Sequence, residues 1–251
     1  MVPVERQKEI IALLENRKHM TVAELAAALY VSEPTIRRDL AAMEKDGSII
    51  RSRGGANYVY KHTMQMPLNF RNKTNIDEKL HIAKIAATLI EPGDIISMDT
   101  GSTGYCLAQV LPDDISLTVI TYGIATGRIM AGKNFRVELP GGSYNYQRDC
   151  IYGEEAVRFI NNRYSKICFI SANGLDAERG LTDYSPEEYY LKRALLTHSD
   201  LIVVLIDHTK VSKSFYLLDA ALSEIDIIIT DKPLPVELME ACKKNLVDVM
   251  Y

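Results

Sequence analysis

Residues 21–40 read TVAELAAALYVSEPTIRRDL, and the order of caps and apolar positions within them sets the fold of the first third of the chain. Thr21 followed three residues later by Glu24 is a capping box, so a helix starts there. Val22, Leu25, Ala26 and Leu29 recur at helical spacing and form its apolar stripe. Ser32 is placed to cap a further helix, whose apolar positions are Ile36, Leu40 and Met43, and Gly47 is placed to end it. Upstream, Ile10, Ile11, Leu13 and Leu14 lie on one face of a helix over residues 5–16. Two short helices joined by a tight turn, with a third before them, predict a helix-turn-helix.

Helical geometry then sorts the polar residues. With Ile36 at the centre of the buried face, a rotation of roughly 100° per residue places Arg38 near 200° and Thr35 near 260°, both outward. Arg37 falls to one side. Ser32, Thr35, Arg37 and Arg38 sit at the start of the helix, where side chains reach base edges and phosphates. Asp39 is read as the partner of a nearby cation and not as a DNA contact. The next stretch, GSIIRSRGGANYVYKH, predicts two strands, Ile49–Ser52 and Asn57–Tyr60, joined by a turn of Arg53, Gly54 and Gly55. A basic hairpin in this position is a wing, with Arg51 and Arg53 directed at the DNA backbone or minor groove. A solvated charged face is the alternative for any one of these arginines.

The whole chain bounds these readings. It has 251 residues, a formal net charge of −4 and 47% hydrophobic residues, an ordinary globular composition. Bulk coating of nucleic acid is excluded by that charge, but from Val31 to Lys61 six cations outnumber four anions. No apolar run is long enough to span a membrane. The N-terminal stretch MVPVERQKEI holds no extended apolar segment, so a cytoplasmic location is expected. Cys106, Cys150, Cys168 and Cys242 form no paired motif and are expected to be buried thiols. No motif for a metal or an organic cofactor is present, and none is expected.

Beyond an irregular segment at 58–74, a helix is predicted from Asn75, with Glu78 as a box-like partner. Strand and helix then alternate. The predicted strands are Ile95–Met98, Leu117–Thr121, Phe135–Leu139, Ile167–Ser171, Leu201–Ile206 and Ile225–Thr230, with helices near 103–111, 123–132, 153–162, 186–198 and 235–244. Continuous apolar strands such as LIVVLI fit a parallel sheet buried on both faces. The fold class is therefore α/β: a winged helix-turn-helix domain (1–57), a linker (58–74) and an α/β effector-sensing and oligomerisation domain (75–251). In such sheets ligands bind beyond the carboxyl ends of the strands. Those ends carry Asp99, Thr100, Gly101, Ser102 and Thr103, then Thr121 and Tyr122, then Gly141 and Gly142, then Asp207 and Lys210. Hydroxyls, close-approach glycines and a helix N-terminus together suit a phosphate. Ser185, Pro186 and Glu188 read as a cap, first position and box partner of a helix, and Lys192 one turn later points either into the pocket or to solvent. Tyr144, Tyr146, Tyr184, Tyr189 and Tyr190 are candidate rim rings.

Both halves resemble DeoR-type bacterial transcriptional regulators. The most specific pieces are Val31-Ser32, Thr35 to Leu40 and Gly54-Gly55-Ala56. In the second half they are Asp99 to Thr103, Gly141-Gly142, Glu187-Glu188 with Lys192-Arg193, and Asp207 with Thr209-Lys210. The resemblance implies a repressor of a sugar or related metabolite operon. It also implies an effector domain with the ribose-5-phosphate isomerase fold that senses a phosphorylated sugar, and a homo-oligomer on double-stranded operator DNA, with no membrane partner. Tyr122 stands where the family commonly has Asn, and Tyr105 where smaller residues are usual. The alternatives are an isomerase-like enzyme, with Asp99, Asp207, Glu187 or Glu188 as base, and a DNA-binding or interaction protein that senses nothing.

Overall fold

The computed structural model describes residues 2–17, 19–45, 49–52, 54–58 and 68–251. The chain divides into two compact units, Met1–Lys73 and Thr74–Tyr251.

The first unit runs α1 (Pro3–Arg17), β1 (His19–Thr21), α2 (Val22–Leu29), α3 (Glu33–Lys45), β2 (Ile49–Ser52), β3 (Gly55–Tyr58) and α4 (Leu68–Arg71). Ile10, Leu14, Leu25, Leu29, Ile36, Leu40 and Met43 converge in one core. The capping box forms as its sequence requires: Thr21 Oγ1 accepts from the Glu24 N–H at 3.2 Å, and Glu24 Oε2 accepts from the Thr21 N–H at 2.7 Å. Asp39 is buried and holds Arg6 of α1 through Nε at 2.5 Å and Nη2 at 3.1 Å, so it ties α3 to α1.

Three details differ from the sequence reading. The wing has three strands in the order β1-β3-β2, because the residues just before the Thr21 cap also pair, with Met20 opposite Ala56. Gly55 lies in a strand and not in the turn; a Cβ there would overlap the Met20 carbonyl and sit 2.8 Å from Thr21 Cα. A helical turn, Leu68–Arg71, forms inside the stretch read as linker. Arg53 and Gly47 lie outside the described residues.

Tyr30 ends α2 in the left-handed conformation, φ 54°, with 95% of its surface exposed. That conformation costs a non-glycine residue about 1–2 kcal/mol, and an exposed ring has little packing to lose. Tyr30→Gly is expected to stabilise the first unit by about 1 kcal/mol, allowing for the extra entropy of glycine. A rise in its chemical denaturation midpoint is the readout, and a fall would refute the strain.

The second unit runs α5 (Ile76–Ala87), β4 (Ile95–Met98), α6 (Ser102–Val110), β5 (Thr118–Thr121), α7 (Ile124–Gly132), β6 (Arg136–Glu138), β7 (Ser143–Asn145), β8 (Cys150–Tyr152) and α8 (Glu154–Asn161). It continues with β9 (Ser165–Ile170), β10 (Gly174–Asp176), β11 (Gly180–Asp183), α9 (Pro186–Thr197), β12 (Ser199–Leu205), β13 (Leu217–Ala220), β14 (Ile227–Ile229), α10 (Val236–Lys244) and β15 (Asp248–Met250). Seven strands form one parallel sheet in the order β15-β14-β12-β9-β4-β5-β6. Alternate strand residues feed the two faces: Cys168, Ile170, Ile202 and Val204 enter one core, and Ile167, Phe169, Val203 and Leu205 the other. That double burial is why the strands are apolar throughout.

β15 was not expected, nor was the antiparallel sheet β10-β11-β13 or the hairpin β7-β8. Asn75 precedes α5 at φ 52° and makes no side-chain cap; its amide instead lies 3.4 Å from Thr209 Oγ1. All four cysteines are buried free thiols. Among the described residues no helix is long and apolar enough to cross a membrane.

Candidate effector site and nucleic-acid interface

The chain leaves β4 to build β5 and β6 on one side, then returns to β9 on the other side of β4 and continues outward. The switch of strand order thus falls between β4 and β9, the position at which open parallel sheets bind ligands. Asp99, just after β4, joins the two loops there. Its Oδ2 accepts from the Ser171 N–H at 2.7 Å and the Ser171 hydroxyl at 3.2 Å; its Oδ1 accepts from the Gly101 N–H at 2.8 Å. Both carboxylate oxygens are thus engaged in holding the loop. A Cβ on Gly101 would overlap the Ser171 hydroxyl, so the crossing is closed to any larger residue.

The loop delivers Gly101 as the N-cap of α6, with no side-chain cap on the helix. The first N–H groups of a helix have no partner within it and carry the positive end of its dipole. Around them lie the hydroxyls of Thr100, Ser102 and Thr103, all buried and without a hydrogen-bond partner. A buried hydroxyl left unpaired costs about 1–3 kcal/mol, so several in one loop point to a ligand that pairs them. Thr121 ends β5 and spends its hydroxyl on the Gly123 N–H at 3.1 Å. Thr100 packs against Gly123, which joins the β4 and β5 ends.

Lys192 does not reach solvent. It is 1% exposed, with Nζ at 2.7 Å from Asp183 Oδ2 and 2.8 Å from Asp219 Oδ2. The antiparallel sheet places these carboxylates, one ending β11 and the other in β13. Burial alone would push Asp183 up and Lys192 down; their mutual charge outweighs it, so Asp183 lies below its ordinary value and Lys192 well above. Asp219 is pushed up to about 6 by burial against the pull of Lys192, and its Oδ1 has no partner. Sequence reasoning missed Asp183 and Asp219. The Lys192 neighbourhood also includes Glu188, whose side chain pairs with Arg148 at 3.1 Å instead of closing a capping box. Ser185 still caps α9, accepting from the Glu188 N–H at 3.3 Å.

The remaining predicted residues are spread more widely. Tyr122, expected at the ligand-binding end of β5, is instead fully buried in the core, with its hydroxyl unpartnered. Tyr105 faces α7 and lines an open recess of about 270 Å³ with Ala125, Arg128 and Ile129. Gly141 and Gly142 are exposed in the turn leading to β7, where φ +143° at Gly142 and the nearby Tyr152 carbonyl demand glycine. Asp207 accepts from the Thr209 N–H at 3.0 Å and from the Thr209 hydroxyl. Burial would raise Asp207, but Lys210 and Thr209 hold it below its usual value. The tyrosines do not form one rim. Tyr144 donates to Asp149 at 2.7 Å, Tyr184 packs on Phe215, and Tyr189 meets Tyr190 edge-on.

On the first unit, Ser32 Oγ and Thr35 Oγ1 lie 2.9 Å apart at the start of α3. Arg38 is exposed and meets no acidic partner among the described residues. Arg37 pairs with Glu33 at 2.9 Å and Arg51 with Glu44 at 3.2 Å, both on the surface. Exposed pairs of this kind contribute about 0–1 kcal/mol, so a phosphate can displace them at small cost.

Comparison with known proteins places these two units. Residues 6–62 match the family model of the DeoR-like helix-turn-helix domain, and residues 74–232 that of the DeoR C terminal sensor domain. The HTH-type transcriptional regulator GolR of Listeria innocua is 38% identical over 92% of this chain and 91% of its own length. The glycerol-3-phosphate regulon repressor of Escherichia coli is 28% identical over 96% and 95% of the two chains. Among solved structures, ribose 5-phosphate isomerase A of Methanocaldococcus jannaschii aligns with a TM-score of 0.42 at 18% identity. It covers 55% of each chain, so the chain spans just over half of that isomerase.

Proposed function

The chain belongs to the DeoR family of DNA-binding transcriptional regulators, and from that premise we propose that it represses a sugar or related metabolite operon under control of a phosphorylated effector. The observation that carries the effector reading is the group of orphaned hydroxyls, Thr100, Ser102 and Thr103, at the uncapped start of α6. Hydroxyl donors beside free helix N–H groups suit the oxygens of a phosphate monoester. The glycerol-3-phosphate regulon named for the Escherichia coli relative agrees with that chemistry. Asp99, Gly101 and Thr121 shape the cradle, and Asp207, Lys210 and Lys192 set the charge beyond it. Sensing is favoured over catalysis because the best-placed carboxylate, Asp99, has both oxygens committed to backbone and hydroxyl donors. A regulator of this kind works in the cytoplasm.

Ser32, Thr35, Arg37 and Arg38 read the major groove, with Arg51 and Arg53 on the flanking backbone. Two copies present two heads to two half-sites of an operator. Effector binding shifts the population toward a state of lower DNA affinity.

The test uses a duplex selected by the full chain from a random-sequence pool. Arg38→Ala is expected to weaken binding to that duplex by about 10- to 100-fold, the worth of one bidentate base contact. Thr103→Val should bind it normally yet lose its release by phosphate monoesters. Unchanged affinity in the arginine variant refutes the recognition-helix reading. Retained release in the threonine variant refutes the cradle.

A further inference from the structure

The second unit begins at Thr74, and its first residues are held by the loop that carries Asp207 and Lys210. Asn75 sits at φ 52° and ψ 47°, a left-handed conformation open to asparagine when its short side chain finds a hydrogen bond. That bond is not a cap on α5. Asn75 Nδ2 donates instead to Thr209 Oγ1 at 3.4 Å. Thr209 in turn donates to Asp207 Oδ1 through its hydroxyl and, at 3.0 Å, through its N–H. Lys79 makes a second tie: it is 3% exposed, and its Nζ donates to the Thr74 carbonyl at 2.7 Å. A buried cation in the first turn of a helix is opposed by desolvation and by the helix dipole. Asp207 offsets that cost, and the Lys79 charge helps to hold Asp207 below its ordinary value. The same charge acts on Cys106 in α6, the helix whose first turn forms the cradle.

We propose that the Asn75–Thr209 contact, with Lys79 on the Thr74 carbonyl, couples the effector site to operator binding: a ligand that engages Lys210 displaces the turn His208–Lys210, frees Asn75 from Thr209 and lets residue 75 leave the left-handed region. This rests on the effector reading of the preceding section and adds the route by which occupancy is transmitted. A change of φ and ψ at one residue swings the chain before it, so residue 75 is a hinge at the root of the segment that leads to the DNA-binding head. The hinge has two discrete settings, left-handed with the amide bonded and right-handed or extended without it. Ligand and operator bias the same choice from opposite ends of that segment. With a ligand that lowers DNA affinity, the bonded setting is the one that favours the operator.

The experiment measures affinity of the full chain for the selected duplex, alone and with glycerol 3-phosphate, ribose 5-phosphate or glucose 6-phosphate, while calorimetry follows ester binding. The variants are Asn75→Ala, Thr209→Val and the two combined. Thr88→Val is the control, removing a hydroxyl that bonds the Ile85 carbonyl at 2.7 Å at the other end of α5. Without ester, each single variant is expected to lose about fivefold or more in duplex affinity, the lower end of an ordinary coupling between sites. The combined variant should lose no more than the larger single loss, because both changes cut one contact. By reciprocity, Asn75→Ala should bind the active ester more tightly than the wild type and show little further release, a signature that simple loss of structure does not produce. Unchanged duplex affinity in both single variants overturns the coupling, whatever the esters do. Additive losses, or an equal loss in Thr88→Val, assign the effect to helix stability and overturn it too. Release of Asn75→Ala as large as that of the wild type overturns it while the effector site stands. If no ester shifts the wild type, the effector reading itself is refuted, and the coupling with it.

Discussion

Lys192→Met is expected to destabilise the second unit by about 3–5 kcal/mol at pH 7, the cost of breaking a buried ion pair from one side. The methionine fills nearly the same volume, so little of the loss comes from packing. What remains is Asp183 and Asp219, both buried, with no cation between them. Two such carboxylates cannot both stay ionised, and one must take up a proton to fold. The penalty should therefore shrink as pH falls, and the variant should gain on the wild type toward pH 5. The wild type carries two opposed slopes. Asp183, held below its ordinary value, contributes stability that is present above the ordinary carboxylate range and is lost as pH falls through its folded value. Asp219, raised to about 6, does the reverse: its contribution is full in acid and falls as pH rises from the ordinary carboxylate range through about 6. Urea unfolding of both proteins at pH 5 and pH 7 reads these differences. A variant within 1 kcal/mol of the wild type at pH 7 would show that the triad contributes little.

The second large effect lies in the first unit. Asp39→Ala is expected to cost about 3 kcal/mol, because it removes the buried carboxylate that ties α3 to two nitrogens of Arg6. A unit of this size has a margin of only a few kcal/mol, so much of its population would unfold and operator binding would fall with it. The double variant Arg6→Met, Asp39→Leu removes both charges and should recover most of the stability. Amide hydrogen exchange in α1 and α3 follows the head directly, while slow exchange in the parallel sheet should be unaffected. If Asp39→Ala weakens DNA binding with no faster exchange in α3, then Asp39 acts on DNA itself and its structural role is refuted.

Local signals made the frame legible. Thr21 with Glu24, the i, i+4, i+7 spacing of Ile36, Leu40 and Met43, and runs such as LIVVLI each report on a few neighbouring residues. Each matches an element in the structure. Short antiparallel strands were harder to read. Gly174–Asp176 and Gly180–Asp183 have three and four residues, too few for a period, and the second pairs with β13 more than thirty residues away. Asn75 and Glu188 looked like local capping residues, yet their side chains turn to Thr209 and Arg148, partners supplied by distant elements.

Taken alone, the sequence determined the helix-turn-helix, the alternation of strand and helix after it, the outward arginine of α3 and the hydroxyl-rich loop at the start of α6. All of these follow from backbone periodicity, capping and residue chemistry within one or two helical turns. Only the tertiary structure decided which polar groups meet: Arg6 with Asp39, Asp99 with Ser171, Lys192 between Asp183 and Asp219, and Tyr122 buried with its hydroxyl unpaired. Such pairings depend on strand order and on the packing of α9 against the small sheet. Their energy arises from burial, which exists only once distant segments have closed around the charges.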